Sequence, residues 1–482
     1  MVFSSLVFLC VFFPLQMLLY SFCRSIETKN TVLILFSLAF YAWGEPFYIL
    51  ILLFMAFADW LISQWIGKYR GTGKSRFFLV LGCLIDLGLL SFFKYGTFTA
   101  ENFHRWFGVP EIVPQIALPI GISFYTFQLV SYLVDVYRGE VPPQPKFRRL
   151  LLYVCLFHQC IAGPIVRYRD VSEQILSRHV TGEDMRNGVN RFASGLAKKV
   201  LLANVCGKLA SLTIFDGLAV HRAENLAKLQ AAPALSLWLG CFAYMLQIYL
   251  DFSAYSDMAI GMGLMVGFRY KENFDYPYLS RSVTEFWRRW HMSLSSFFRD
   301  YVYIPLGGNR KGKPRQALNL FIVWLLTGMW HGADWNFILW GLYYFVFLAL
   351  EKFILPGLRR LPAFFGHLYT LIIVFFGWIL FYFRDFTQAW VVVKGLFCGN
   401  GNAFLSFEAT NQLLNYCFLL LVAVLACTPL ARTLYHRLCS SSNAVAVVCG
   451  TVMEWVLPVA ALVLSASLLV GDSYNPFLYL QF

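Results

Sequence analysis

Apolar runs of about twenty residues recur along this chain, and they limit its fold more than any other feature. A helix needs about 20 apolar residues to cross the hydrocarbon core of a bilayer. The runs at 77–95, 116–137 and 444–470 meet that length. In lipid, a spanning segment must pair its own backbone hydrogen-bonding groups, and a helix does so within one segment. We therefore predict an all-α, multi-span integral membrane protein.

The composition agrees with a chain that lies mostly in lipid. Hydrophobic residues make up 59% of the 482 residues and charged residues 13%, whereas soluble domains average about 45–50% and about 25%. The net charge of +13 is explained by lysine and arginine in cytoplasmic loops, which face anionic membrane lipids. It therefore indicates no nucleic-acid partner. The twelve cysteines are scattered without a C-x-x-C pair, so we expect neither disulfides nor a metal site.

The basic loops predict the orientation of the chain. Four loops carry an excess of lysine and arginine: 67–76, 138–149, 357–362 and 431–442. Such loops mark the cytoplasmic side, so their alternation predicts about ten to twelve crossings with both termini outside. The run at 150–165 is short and ends in Gly163-Pro164, which also fits a re-entrant segment.

One predicted span has a polar face. Gln128, Ser131 and Asp135 are spaced 3 and 4 residues apart, so they share one side of a helix. Polar side chains within a span avoid lipid, and we therefore expect this face to point into protein or water.

Two carboxylates lie within the long apolar run at 235–266. They are Asp251 and Asp257. Because buried carboxylates need compensating partners, we expect basic residues beside them, and Arg288 or Arg289 are candidates.

Two Trp-His pairs stand out against the apolar background. The first, Trp290-His291, lies in a polar segment where large apolar side chains recur with spacing 3, 4, 3, 4, which predicts one amphipathic helix. Its apolar stripe consists of Trp287, Trp290, Leu294, Phe297 and Tyr301. Arg288 and Arg299 fall on the opposite side, and His291 falls at the edge. Such a helix can enter the membrane surface, or it can be a surface helix with arginines that reach the headgroups.

The second pair, Trp330-His331, ends an apolar run in a turn flanked by Gly328 and Gly332. A helix rises about 1.5 Å per residue, which places His331 roughly 24 Å beyond Arg315 in a hydrocarbon core of about 30 Å. An ionisable residue at such depth is a functional candidate, and histidine is the usual general base near neutral pH. A histidine that only links neighbouring helices is the alternative.

Longer motifs connect these features to a known family. The chain contains LPIGISFYTFQLVSYLVDVYRG, QIYLDFSAYSDMAIG, NFDYPYLSRSVTEFWRRWHMSLSSFFRDYVYIPLGGNR, TGMWHGADWNFILWG and the terminal YNPFLYLQF. Together they resemble the membrane-bound O-acyltransferase family, most closely its bacterial alginate O-acetyltransferase branch. The resemblance covers roughly residues 30–390 and is most specific at 273–341. It implies a single membrane-embedded domain over 1–482, with 116–341 as the most diagnostic part. The implied fold is a ring of tilted helices around a central tunnel, with re-entrant segments.

The resemblance also implies an activity and a cellular location. The chain would be an O-acyltransferase of the bacterial cytoplasmic (inner) membrane that uses acetyl-CoA as acyl donor and holds no bound cofactor or metal. The acetyl group would pass to an extracytoplasmic partner, an SGNH-type acetyltransferase or esterase-like enzyme of the polysaccharide synthesis machinery. The acceptor favoured by the resemblance is an alginate-like exopolysaccharide.

The motif matches assign roles to individual residues. The family's invariant histidine matches His331 and its second, partly shared histidine matches His291, so the resemblance implies that both are catalytic. The residues expected to bind the donor or line the tunnel are Trp287, Arg288, Trp290, Arg299, Trp330, Asn336, Gln128, Asp251 and Asp257.

Other functions remain open on the residues alone. The same fold could transfer D-alanyl groups or O-acylate peptidoglycan, although GADWNFILWG favours the acetyl branch. A transporter with His291 and His331 as a proton relay, or a non-catalytic scaffold of a polysaccharide export complex, would share the same composition.

Overall fold

A computed structural model of the chain describes residues 1–108, 116–160, 163–215, 222–357, 362–441 and 443–471. Every regular element in these ranges is helical, which confirms the all-α prediction. The basic loop 357–362 and the terminal tail lie largely outside the described residues.

The described ranges contain a succession of α-helices with a few π-helical or 3₁₀ turns between them. The α-helices are α1 Phe13–Phe22, α2 Ile26–Gly44, α3 Ile49–Lys68, α4 Gly73–Phe107, α5 Ile122–Arg138, α6 Phe147–Cys155, α7 Phe157–Cys160, α8 Tyr168–Leu176, α9 Gly182–Ala197, α10 Asn204–Thr213, α11 Arg222–Ala231, α12 Ala234–Val266, α13 Val283–Arg289, α14 Met292–Phe298, α15 Gly312–His331, α16 Trp335–Ala349, α17 Ala363–Tyr382, α18 Phe386–Leu396, α19 Phe407–Ala426, α20 Leu430–Cys439 and α21 Ala444–Gly471. The π-helical segments are Phe8–Phe12, Lys198–Ala203, Arg299–Tyr303 and Leu350–Ile354, and Pro277–Leu279 is a 3₁₀ turn.

Seven helical segments among the described residues are long and apolar enough to cross a membrane, judged by length and composition. They are α3, α4, α12, α17, α19, α21 and the segment Trp335–Ile354, which joins α16 to the π-helical turns after it. These segments confirm a multi-pass membrane protein. The sequence-based count was higher because it included shorter runs, such as α5 with 17 residues. The number and orientation of the crossings and the central tunnel stay predictions.

The chain divides into two compact units. Unit 1 comprises residues 1–192, 255–272 and 296–301, and unit 2 comprises 193–254, 273–295 and 302–482. The assignment of residues 1–482 to a single domain stays a prediction.

In unit 1, the polar face of α5 points into protein as predicted. Gln128, Ser131 and Asp135 are all fully buried. The Tyr301 hydroxyl donates a hydrogen bond to Asp135 Oδ1 at 2.8 Å. This side of α5 therefore avoids lipid by packing against protein.

The broken segment predicted at 150–165 is also in unit 1. The helix is interrupted at Leu156, and Gly163 and Pro164 also lie outside any helix. Leu156 separates α6 from α7 with ψ 112°. Side chains replace the lost helical hydrogen bonds, because Ser37 Oγ accepts from the Phe157 N–H at 3.1 Å and Gln159 donates to the Tyr153 carbonyl at 2.5 Å. Whether this segment re-enters the membrane stays a prediction.

In unit 2, α15 and α16 form a tight helical hairpin. A Cβ atom on Gly341 would lie 3.1 Å from the Cα and N atoms of Gly328 and would collide with the Trp324 carbonyl oxygen. Only glycine lets the two backbones approach this closely, and small residues commonly allow such packing of membrane helices.

We predict that Gly341→Ala destabilises the hairpin. The new methyl group meets backbone atoms that cannot move aside, and overpacking of this kind costs about 1–3 kcal/mol. The thermal unfolding midpoint of the purified protein in detergent measures the effect. Gly88→Ala on α4 is the control, because a Cβ atom there meets nothing within 4 Å. Equal midpoints for the two variants would show that the close approach does not hold the hairpin.

Candidate active site

His331 is the last residue of α15, and the chain turns at once into α16. Gly332 follows with an extended backbone, φ −167° and ψ 157°, and a side chain there would collide with the ring of Phe337. The Asp334 carboxylate accepts a hydrogen bond from the Trp335 N–H at 2.7 Å, which caps α16. The predicted glycine-flanked turn is confirmed, and it places His331 at the closed end of the hairpin.

The His331 imidazole is 7% exposed and lies among aromatic rings. Its ring centre is 4.8 Å from that of Trp340 and 5.3 Å from that of Phe381, both in edge-to-face contact. The ring centre of Trp330 is 4.9 Å away. These rings exclude water, and hydrogen bonds strengthen in such a low-dielectric environment.

The single amphipathic helix predicted around the first Trp-His pair is wrong, because the chain breaks at this pair. Helix α13 ends before Trp290, which is extended with φ −99° and ψ 128°. His291 follows with φ +44°, and α14 begins at the next residue. A positive φ at a non-glycine residue is strained by about 1–3 kcal/mol and persists only where surrounding contacts hold it.

Asn273 supplies contacts that hold this break. Its backbone carbonyl accepts from the Met292 N–H at 2.9 Å. Its side-chain oxygen accepts from the Ser293 hydroxyl at 2.8 Å and from the Ser293 N–H at 3.2 Å, and it lies 3.1 Å from His291 Nδ1. Asn273 lies 18 residues before His291, and no local pattern in the sequence indicates that the two residues pair.

The break turns His291 inward, whereas the sequence predicted it at the edge of a helix. His291 is 1% exposed and contacts Phe252 edge to face, with ring centres 4.7 Å apart. Its ring centre lies 5.7 Å from that of Trp330. Trp330 therefore contacts both His291 and His331 and joins the two Trp-His pairs in one cluster within unit 2.

The tryptophans predicted as lining residues belong to this cluster. The ring centre of Trp287 lies 5.4 Å from that of Trp340, and the ring centre of Trp290 lies 4.9 Å from that of Trp378. Trp287, Trp290 and Trp330 are all buried. They build aromatic walls beside the histidines, as expected from their size and apolar character.

Asn336 lies behind the wall. It is fully buried, and its Nδ2 donates to the Phe381 carbonyl at 3.0 Å. Because the Phe381 ring flanks His331, this hydrogen bond positions one wall of the histidine site.

Arg288 and Arg299 are exposed, as predicted for the polar side. Arg288 belongs to unit 2 and Arg299 to unit 1. Arg299 Nε donates to Asp300 Oδ1 at 2.7 Å. Burial alone raises the pKa of the Asp300 carboxyl, but hydrogen bonds from Arg299 and Arg167 hold that pKa below its ordinary value. Arg299 is therefore already engaged with a carboxylate.

The sequence that forms this site matches a known protein family. Residues 49–388 match the MBOAT model, described as the membrane-bound O-acyltransferase family. The chain belongs to the membrane-bound O-acyltransferase family. It is therefore an O-acyltransferase, and the matched region includes both histidines.

Curated relatives with acetyltransferase names match most of the chain. "Probable alginate O-acetylase AlgI" of Pseudomonas aeruginosa is 39% identical over 409 residues, or 82% of this chain and 75% of the relative. The protein of the same name from Pseudomonas syringae pv. tomato is 41% identical over 393 residues, or 79% and 72%. "Peptidoglycan O-acetyltransferase" of Helicobacter pylori is 32% identical over 451 residues, or 86% and 83%. The roles of individual residues stay predictions.

Asp251 and Asp257, which were predicted as lining residues, both form ion pairs. The prediction that Arg288 or Arg289 is the partner was wrong. In unit 2, Lys199 Nζ lies 2.7 Å from Asp251 Oδ1, and the two side chains are 1% and 2% exposed. In unit 1, Arg191 lies 2.7 Å from Asp257. Arg289 instead pairs with acidic residues near α13. Sequence proximity could not show these pairs, because the partners lie on different helices.

Gln128, which was also predicted as a lining residue, is fully buried in unit 1. No group of three metal-binding side chains occurs among the residues that the structure describes.

We predict that Asp251→Asn strongly destabilises the protein. The substitution removes the carboxylate charge beside the buried Lys199, and breaking a buried ion pair in this way costs about 3–5 kcal/mol. Replacing both residues, with Lys199→Met and Asp251→Leu, is expected to restore most of the stability. Thermal unfolding of the purified protein measures both effects.

The exposed pair Lys228–Glu224, with side chains 49% and 64% exposed, provides the control. Glu224→Gln is expected to change stability by about 0.5 kcal/mol or less. If Asp251→Asn unfolds at the wild-type temperature, the buried ion pair does not support the fold.

Proposed function

We propose that this acyltransferase is the membrane component of a bacterial polysaccharide O-acetylation system in the cytoplasmic membrane. It takes an acetyl group from acetyl-CoA on the cytoplasmic side and passes it toward an extracytoplasmic acceptor. The observation that carries the proposal is the cluster of His291 and His331 around Trp330 within the region that matches the family. The alginate O-acetylase names of the relatives support an alginate-like glycan as the final acceptor.

His331 acts as the general base in this proposal. The acceptor hydroxyl oxygen attacks the thioester carbonyl carbon while the imidazole takes the hydroxyl proton. The new C–O bond forms, the C–S bond breaks, and the proton passes to the departing thiolate, so the products are an ester and a free thiol. The aromatic walls exclude water, which would otherwise compete as a nucleophile.

His291 positions a substrate group in the same site. A hydrogen bond from Nδ1–H to the Asn273 side-chain oxygen, 3.1 Å away, fixes the ring and leaves Nε2 as the nitrogen with the lone pair. Nε2 can then accept a hydrogen bond from the acceptor hydroxyl or from an amide N–H of the donor. The strained backbone of His291 is consistent with such a role, because strain of this kind concentrates at functional sites.

The proposed contact with the acetyl donor depends on a positively charged side chain. Arg288 is an exposed cation of unit 2, and guanidinium groups bind phosphate through paired hydrogen bonds. It is a candidate for contact with the phosphates of acetyl-CoA on the cytoplasmic side, with both chain termini on the other side. No further cofactor enters the reaction.

The extracytoplasmic step belongs to a partner in this proposal. An SGNH-type acetyltransferase or esterase-like enzyme of the polysaccharide machinery receives the acetyl group and esterifies the glycan. Peptidoglycan is the second candidate acceptor, because the Helicobacter pylori relative carries that name and covers 86% of this chain.

We predict that His331→Ala abolishes detectable O-acetylation of the exopolysaccharide in cells with equal amounts of variant and wild-type protein. Removal of a general base typically lowers a rate by about 10²–10⁴-fold. Ester content of the isolated polysaccharide is the measurement, and ester content of peptidoglycan from the same cells tests the second acceptor.

His436→Ala on α20 is the matched control, because that histidine is exposed and lies outside the matched region. It is expected to leave acetylation unchanged. His331→Gln provides a variant of similar size if the alanine protein does not accumulate. Wild-type acetylation in cells with either His331 variant would refute the catalytic assignment.

A further inference from the structure

Glu351 is a fully buried glutamate in unit 2 that no part of the proposed chemistry uses. It lies in the π-helical segment Leu350–Ile354, directly after α16. Among the described residues no lysine or arginine forms an ion pair with it. An ionisable side chain within a segment long enough to span the membrane is costly, and such residues usually have a function.

The Glu351 carboxylate binds the start of α13. One oxygen accepts from the Val283 N–H at 2.6 Å. The other accepts from the Thr284 N–H at 2.9 Å and from the Thr284 hydroxyl at 2.6 Å. Both oxygens are therefore used, and hydrogen bonds to a charged group are stronger than those between neutral groups.

Ordinary helix capping does not explain this contact. Ser282 already caps α13, because its hydroxyl accepts from the Glu285 N–H at 3.0 Å. Glu351 adds a second attachment from a helix that is distant in sequence. It thus fixes where α13 lies as well as whether it forms.

The helix that Glu351 holds leads directly to one histidine of the site. Helix α13 ends at Arg289, and Trp290 and His291 follow in the strained break. Its Trp287 ring also lies 4.8 Å from the ring of Tyr344 on α16.

The N-terminal half of α16 contacts the other histidine, His331. Trp340 on α16 contacts His331, with ring centres 4.8 Å apart. Helix α16 therefore contacts His331 in its N-terminal half. Glu351, just after the C-terminal end of α16, sets the position of α13.

We propose that Glu351 is a positioning residue that fixes His291 relative to Trp330 and His331. Its three hydrogen bonds anchor α13 to the helical segment that also carries Trp340. The same segment therefore sets the positions of both histidines. The expected effect on catalysis rests on the proposed function. The positioning of His291 by Glu351 does not depend on that function and can be tested separately.

The test compares Glu351→Gln with wild type in the full-length protein in native membranes. Two quantities are measured: the rate at which diethyl pyrocarbonate modifies His291, read by mass spectrometry, and the O-acetyl content of the polysaccharide. The exposed His436 serves as an internal reference for reagent access. Glu408→Gln, an exposed glutamate in the first turn of α19, is the matched control.

We expect Glu351→Gln to raise the modification rate of His291 by about tenfold, because an amide cannot accept at both positions and local opening becomes easier. Modification of His436 stays unchanged. Acetylation falls by about tenfold to a hundredfold, the effect expected when a catalytic group is displaced by about 1 Å. The Glu408→Gln protein behaves as wild type in both measurements.

Thr284→Val is a milder second variant for the case that Glu351→Gln does not accumulate. It removes the hydroxyl bond and retains the side-chain shape, so His291 modification should rise by a smaller factor. Unchanged His291 protection in an accumulated variant overturns the positioning claim, whatever the activity. Faster His291 modification without loss of acetylation supports the positioning claim and contradicts the proposed role of His291.

Discussion

The hydrogen bonds of Asn273 hold the helix break on which the histidine cluster depends. A continuous helix would keep His291 at its edge, whereas the break turns the imidazole inward with φ +44°. Asn273 compensates the lost helical bonds through its carbonyl and side-chain oxygens. With His291 turned inward, Trp330 contacts both histidines. Local strain at one residue is thus balanced by polar contacts from a distant segment.

Two other buried polar groups in unit 2 also have partners within the protein. Lipid offers no hydrogen-bond partners, so a polar group that is buried in a membrane helix can be stabilised only by other groups of the protein. The buried pair Lys199–Asp251 and the carboxylate of Glu351 at the start of α13 show two solutions: an opposite charge and a set of hydrogen-bond donors. Both lie in unit 2 with the histidines, where each links segments that are distant in the sequence.

Local patterns predicted the parts of this structure that local interactions determine. The long apolar runs became helices, and the glycines beside His331 formed the expected turn. The break at His291 was missed, because its apolar spacing is that of a helix and the competing partner, Asn273, lies in another segment. The partner of Asp251 was missed for the same reason, since Lys199 reaches it from a different helix. Glu351 carried no local signal, because its partners are backbone groups of α13.

The proposed acetyl transfer can be tested with purified full-length protein, acetyl-CoA with a labelled acetyl group, and a soluble polysaccharide acceptor together with the extracytoplasmic partner. Released thiol and labelled ester are measured in the same reaction. We expect that both form in equal amounts, that both require the acceptor, and that His331→Gln lowers both by about 10²–10⁴-fold. Thiol release without labelled ester, or equal rates for wild type and His331→Gln, would contradict the proposed transfer.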